Sequence, residues 1–418
     1  MVAKRRSVSG RGIVPAFVIS GQLRHCCGVE HTHRVWISDA DCRLEDFRRL
    51  VERHTRLADY PMASAVHSNV LTYEGGDIRR AAADAESRRA FMAEWARAMM
   101  DGPGILLFKN AFPDLAVVDA ATDRFFVMIE ERRASNSNAG DHFAKPGAND
   151  RIWNALEKLC LRDPHLFARY YGNAAIALVS EAWLGPGYQV TSQINVVNPG
   201  GEAQSPHRDY HMGFQTADAL AQFPAHAHRL SPVLTLQGAI AHCDMPVETG
   251  PTLYLPFSQI YELGYLAWRR PEFIEYFDKH RVQLPLAKGD AVFFNPALFH
   301  AAGSNRTEDV KRIANLLQIS SAYGRAMENV DRARMSAALY PALLALGEIG
   351  ELSPHECANA VAACAEGYSF PTNLDRDPPI DGLAPETQAQ LMLKALAEKW
   401  PADAFDEALE KQSWRRLA

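Results

Sequence analysis

The chain has 418 residues, 47% hydrophobic and 22% charged, with a net charge of −6 at neutral pH. That length can bury a substantial core, and the acidic excess, with basic residues spread along the chain, excludes an electrostatic footprint for nucleic acid. No run reaches the ~18 apolar residues that a membrane span needs, and an odd count of seven cysteines points to reduced thiols in a cytoplasm rather than a disulfide framework.

Residues 1–40 show no sustained period and read as an N-terminal extension. Residues 13–20 follow basic residues and faintly mimic a signal peptide, but the apolar stretch is short and holds a proline. His25, Cys26, Cys27, His31 and His33 crowd into the same extension. Adjacent cysteines are not the spaced chelating pair of a zinc site, so a plainly packed or poorly ordered segment is the preferred reading.

Helical patterns dominate residues 41–184. Phe91, Trp95 and Met99 recur at four-residue spacing, and Val118, Ala121, Phe125 and Ile129 mark a second apolar stripe. Between them, residues 102–108 read as a Gly-Pro-Gly turn followed by a buried strand.

The period changes to two over residues 185–325. In 188–197, Tyr188, Val190, Ser192, Ile194 and Val196 share one face, and Gln189, Thr191, Gln193 and Asn195 the other. Similar strands are expected at 233–242, 281–284, 290–295 and 310–320. One oily and one polar face per strand suits a barrel with helices outside and a wet cavity inside. Residues 326–418 return to helix: Ser353-Pro-His-Glu356 is a capping box with proline at the first helical position, and Pro385-Glu386 opens a helix carrying Leu391, Leu393 and Leu396. The expected organisation is thus an extension (1–40), one catalytic domain (41–325) and a helical segment packed on it (326–418).

The chemistry concentrates in Ser205-Pro-His-Arg-Asp-Tyr-His-Met-Gly-Phe214. In an extended segment His207 and Asp209, two apart, emerge from one face, and an imidazole beside a carboxylate offers two adjacent metal positions. A second histidine from elsewhere would complete a facial triad, which leaves three positions open and marks non-haem iron(II) oxygenases. Gly289-Asp-Ala-Val-Phe-Phe-Asn-Pro-Ala-Leu-Phe-His300 supplies one, emerging just past a strand. On the next strand Arg312, beside the small Ala314, can pair a distal carboxylate through two parallel hydrogen bonds; Lys311 and Arg306 compete for that role.

Over residues 100–325 the chain resembles the phytanoyl-CoA dioxygenase family of iron(II)/2-oxoglutarate oxygenases. The resemblance rests on three linked phrases: His207 to His211; Glu248-Thr-Gly-Pro-Thr-Leu-Tyr-Leu-Pro-Phe-Ser258; and Gly289-Asp290 through His300, Gly303, Asn305 and Arg312. Gln259 stands where the family often has histidine, a change expected to affect packing. The resemblance implies an α+β fold with a double-stranded β-helix (jelly-roll, cupin-like) core flanked by helices. It implies iron(II) on His207, Asp209 and His300, with 2-oxoglutarate and O2 as cosubstrates and Arg312 on the distal carboxylate. Gln237 lies on the strand where the family contacts cosubstrate, and Gln193 is a second candidate; a barrel-lining amide bonded to its neighbours is the competing reading of each.

His211, two further along than Asp209, is expected on the same face in a supporting or substrate-facing role, and His142 and Lys145 occupy a polar loop that is a candidate substrate loop. The implied reaction is oxidation, most simply hydroxylation, of an unactivated C–H bond in a small molecule, with release of succinate and CO2. Retention of Asp209 argues against the related halogenases, which replace that carboxylate with a small residue. A cupin-like metalloenzyme that does not use 2-oxoglutarate, and a binding protein that has lost catalysis, remain the alternatives; the substrate and the oligomeric state are not legible.

Overall fold

The computed structural model describes residues 35–135, 147–379 and 382–418. Residues 1–34, and with them the His/Cys cluster at 25–33, lie outside the described residues, as does the loop with His142 and Lys145.

Eleven strands are formed among the described residues: β1 (Ala65–His67), β2 (Val70–Glu74), β3 (Ile105–Lys109), β4 (Asn149–Ile152), β5 (Gln189–Val197), β6 (Thr235–Ala241), β7 (Leu253–Leu255), β8 (Val282–Gln283), β9 (Ala291–Phe294), β10 (Phe299–Ala301) and β11 (Arg312–Ser320). Eight make one sheet in the order β1-β2-β3-β9-β6-β11-β5-β4, antiparallel throughout except for the β2–β3 pair. The other three form a smaller antiparallel sheet, β10-β7-β8.

The long strands follow from their period-two pattern. In β5 the apolar Val190, Ile194 and Val196 enter the main core with the aromatic and aliphatic faces of the surrounding helices. The alternate residues Gln193, Asn195 and Val197 face a cavity instead. β11 repeats this arrangement, with Ile313, Leu317 and Ile319 in the core and Arg312, Ala314, Leu316 and Gln318 toward the cavity. Pairing of Leu316 with Gln193 and of Gln318 with Gln237 aligns the polar positions of three strands on one wall.

Helices cover the outer face. Helix Ala85–Met100 buries Phe91, Trp95 and Met99, and helix Leu115–Ala134 buries Val118, Ala121, Phe125 and Ile129, the two expected stripes. The helices after residue 330 join the same core through Leu339, Leu343, Met392 and Phe405. Ser353 and Glu356 form the expected reciprocal cap. The next helix starts later than Pro385-Glu386 suggests: it is Gln388–Glu398, because Thr387 and Gln390 form a capping box of their own.

Two expectations needed revision. Besides its helices and the expected strand β3, the segment 41–184 contributes three further strands, β1, β2 and β4, and the four form both edges of the large sheet. β7 and β10, three residues each, carry too few alternations for the pattern to be visible in sequence.

Candidate metal centre

His207 lies outside the named strands, yet its backbone is paired. Its N–H donates to the His300 carbonyl at 2.9 Å, and the His300 N–H donates back at 3.1 Å. Residues that exchange both hydrogen bonds in an antiparallel pair project their side chains to the same face. The two imidazoles therefore emerge together, with ring centroids 4.5 Å apart. Asp209, two residues beyond His207, returns to that face, and its own N–H is held by the Pro296 carbonyl at 3.1 Å.

One ligand atom from each of His207, Asp209 and His300 lies within 4.8 Å of the others. Both histidines are tied at Nδ1, His207 to the Ser205 carbonyl at 3.0 Å and His300 to the Leu298 carbonyl at 2.9 Å. A carbonyl can only accept, so Nδ1 carries the hydrogen and Nε2 is left with the lone pair. The Nε2 atoms stand 3.6 Å (His207) and 3.4 Å (His300) from the Asp209 oxygens, too far for good hydrogen bonds. Two imidazole nitrogens and one carboxylate oxygen, oriented by partners behind them, fit a divalent ion of the ferrous type.

Electrostatics shifts Asp209 and His207 in opposing balances of burial and charge. Burial by itself would raise the Asp209 carboxyl, but the imidazoles of His207 and His300 and the Gln237 amide outweigh it and hold the group well below the usual carboxylate range. Gln237 Nε2 donates to Asp209 Oδ2 at 2.5 Å. Burial pushes His207 downward, against the pull of Asp209, which favours the neutral ligand form.

Between the ligands, Arg208 points to the opposite side of the strand. Its guanidinium bonds the Ser258 and Tyr261 carbonyls at 2.6 and 2.8 Å and lies against the Tyr265 and Phe299 rings. Ser258 in turn receives the Phe299 N–H on its hydroxyl at 2.7 Å. The second phrase of the sequence thus buttresses both ligand segments from behind. Gly264 permits this approach: a Cβ there would lie 1.9 Å from Arg208 Cζ.

The ligands open into a cavity of about 860 Å³ lined by both sheets. Arg312 projects into it from β11, buried, with Nη1 lacking any hydrogen-bond partner. Burial pulls its pKa down to about 10. Lys311 and Arg306 are exposed and do not line the cavity. The small Ala239, Ala241 and Ala314 line the same cavity.

Gln237 and Gln193 also line the cavity. Gln237 is occupied with Asp209, and Gln193 accepts from Arg151 Nη1 at 3.0 Å. His211 departs from its expected place. Tyr210 and His211 take positive φ (64° and 40°) and begin the short 3-10 helix His211–Phe214, so the strand alternation stops at Asp209. His211 is not among the residues lining the cavity, which include Gly213 and Phe214 in its stead. Of the other histidines, His242 is buried between Thr122 and Tyr170, and His228 bonds the Leu220 carbonyl. Sequence reasoning missed Arg151 and Trp153, which reach the cavity from and beside β4, and Trp268. The Asn-Asp-Arg-Ile of β4 gives no strand signal of its own.

Comparison with known proteins agrees with the site. A sequence model of the family described as phytanoyl-CoA dioxygenase (PhyH) matches residues 85–313. No curated protein matches the chain. Among solved structures the chain is similar to the non-heme alpha ketoglutarate dependent epimerase SnoN from nogalamycin biosynthesis, with 19% identity over 59% of this chain and 82% of that one and a TM-score of 0.37. It is also similar to the carbocyclase SnoK of the same biosynthesis, with 18% identity, 65% and 92% coverage and a TM-score of 0.38. The family match takes in more than half of the chain and contains the whole His207–Asp209–His300 cluster and Arg312; the chain belongs to the phytanoyl-CoA dioxygenase family and is a non-haem iron, 2-oxoglutarate-dependent oxygenase.

Proposed function

We propose that this enzyme hydroxylates an unactivated C–H bond of a small molecule while 2-oxoglutarate is converted to succinate and CO2. The observation that carries this reading is one cavity holding both the His207–Asp209–His300 cluster and, from the opposite sheet, the unpaired Arg312. Bound iron(II) with 2-oxoglutarate supplies the oxidising power, drawn from dioxygen. The protein's own part is positional. His207 and His300 present Nε2, fixed by the carbonyls of Ser205 and Leu298, while Gln237 orients the Asp209 carboxylate. Arg312 takes the distal carboxylate of 2-oxoglutarate in a bidentate pair, and Gln237 and Gln193 are the candidate amides beside the cosubstrate. The enclosing walls limit water at the reacting carbon.

We read the two sheets as the halves of a double-stranded β-helix, since strands of both line the same cavity. Residues 41–325 form the catalytic domain in this reading, and 326–418 a helical buttress. Asp209, kept as a ligand, favours hydroxylation over halogenation. Among the described residues no helix is long and apolar enough to cross a membrane; a cytoplasmic setting rests on the cysteine count. The test is succinate formation from 2-oxoglutarate by the iron(II)-loaded protein in air, across a library of small molecules. Oxidised product carrying one atom of labelled dioxygen supports the assignment, and turnover that ignores 2-oxoglutarate overturns it.

A further inference from the structure

The cavity is larger than the ion and its cosubstrate need, and its remaining wall has an unusual composition. Gln193 and Asn195 on β5, Gln237 on β6 and Gln318 on β11 all face it. Each is at least nine-tenths buried, with relative exposures of 1%, 7%, 5% and 9%. Each also has one polar atom with no hydrogen-bond partner: Gln193 Nε2, Asn195 Oδ1, Gln237 Oε1 and Gln318 Oε1. Buried polar atoms in native proteins are paired, so four orphans on one wall call for an explanation.

The register places them side by side. Gln318 pairs directly with Gln237, and Gln193 lies diagonally across from Gln318, opposite Leu316. Direct and diagonal neighbours in a sheet are within reach of one small ligand, about 5 and 7 Å apart. Two orientations are fixed by outside partners. Gln193 Oε1 accepts from Arg151, which turns Nε2 toward the cavity as a donor. Gln237 spends Nε2 on Asp209, which leaves Oε1 as an acceptor. The wall therefore combines at least one donor with amide oxygens, and it begins at a residue touching a metal ligand.

We propose that this amide wall is the substrate-recognition site and that it selects a neutral, hydroxyl-bearing molecule. This inference rests on the oxygenase reading above. A hydroxyl donates to one amide oxygen and accepts from Gln193 Nε2 at once. A carboxylate has no proton for the Gln237 oxygen, which the bond to Asp209 fixes as an acceptor. An ammonium group has no lone pair to accept from Gln193 Nε2. Trp153, Trp268 and Phe214 on the lining supply flat apolar surface for the body of the ligand.

The test uses a matched probe series: 2-naphthol, naphthalene, 2-naphthoate and 2-naphthylmethylammonium. Binding is measured by ligand-observed NMR on the full chain loaded with zinc(II) and saturating 2-oxoglutarate, so that the Arg312 end is occupied. The expected order puts 2-naphthol at least fivefold tighter than the other three. Gln318→Leu, at a position not assigned to the cosubstrate, should weaken 2-naphthol at least tenfold with 2-oxoglutarate affinity within twofold. Gln193→Glu keeps the acceptor for Arg151 and replaces the donor, and should weaken 2-naphthol in the same direction. A preference for the anion, the cation or plain naphthalene, no probe binding, or Gln318→Leu without effect overturns the proposal. Failure of 2-oxoglutarate itself to bind refutes the oxygenase reading instead, and the 2-naphthol series without cosubstrate still reports on the wall.

Discussion

Replacing Arg312 with methionine removes a buried positive charge while retaining much of its aliphatic stem. Two effects of opposite sign follow. Burial lowers the Arg312 pKa from 12.5 to about 10, so the charged form is disfavoured in the fold. For a base lowered in this way the penalty is fully present below the folded value, hence throughout neutral pH, and fades as pH rises through the unfolded value. At about 1.4 kcal/mol per pH unit the cost is about 3 kcal/mol. The ligand-free Arg312→Met protein should therefore resist urea better than the parent, by up to that amount less the packing lost with the longer stem. Affinity for 2-oxoglutarate should move the other way: removing one partner of a buried, hydrogen-bonded charge pair costs about 2–5 kcal/mol, or roughly thirtyfold to a few thousandfold. Calorimetric titration of 2-oxoglutarate into the manganese(II)-loaded protein under argon reads the second effect, and urea melts read the first. Lys311→Ala and Arg306→Ala, both at exposed positions, should leave both measurements unchanged. Retention of parental affinity in Arg312→Met, or its transfer to either of the exposed variants, would refute the placement of the cosubstrate carboxylate.

Gln237→Leu removes the amide on Asp209 Oδ2 and should weaken metal binding roughly 10- to 100-fold, read by titrating manganese(II) in electron paramagnetic resonance; unchanged affinity would show the amide to be incidental. Gly264→Ala drives a methyl into the Arg208 guanidinium and should destabilise the protein by roughly 3 kcal/mol or more through overpacking, with weaker metal binding; a thermal melt within one degree of the parent would contradict the geometry. Burial lowers His242 to about 3, so the unfolded chain binds the extra proton and stability falls as pH drops from 6.5 toward 3. Between pH 7 and 5 that amounts to about 2 kcal/mol. Glu328, raised to about 7 by burial, acts in the opposite sense in the same interval, so the relevant measurement is the difference in urea stability between the parent and His242→Gln. A difference that does not vary with pH would remove His242 from the account.

How much was legible follows from how local each signal is. His207 and Asp209 could be read because strand geometry puts positions two apart on one face, and His300 because a turn and an apolar strand lead up to it. The apolar stripes of the helices and the two faces of β5 were equally plain. The position of His211 was not, since positive φ at Tyr210 ends the alternation and a tyrosine does not advertise that conformation. Arg151 escaped because β4 is a polar edge strand whose order comes from its ladder with β5 rather than from its own composition. The choice of Arg312 over Lys311 depended on strand parity, which a one-residue slip would have reversed.

The reciprocal pairing of the two histidine backbones has a consequence for how the protein acquires its ion. Positions 207 and 300 are 93 residues apart in sequence, and joining the ends of such a loop costs on the order of 4 kcal/mol of chain entropy. The folded chain has already met that cost through the Gln204, His207 and Asp209 contacts with the segment from Pro296 to Ala302. An arriving ion finds its three donors gathered rather than having to assemble them. The donor geometry thus rests on backbone pairing between two distant segments, and binding of an ion is expected to require little rearrangement of the polypeptide.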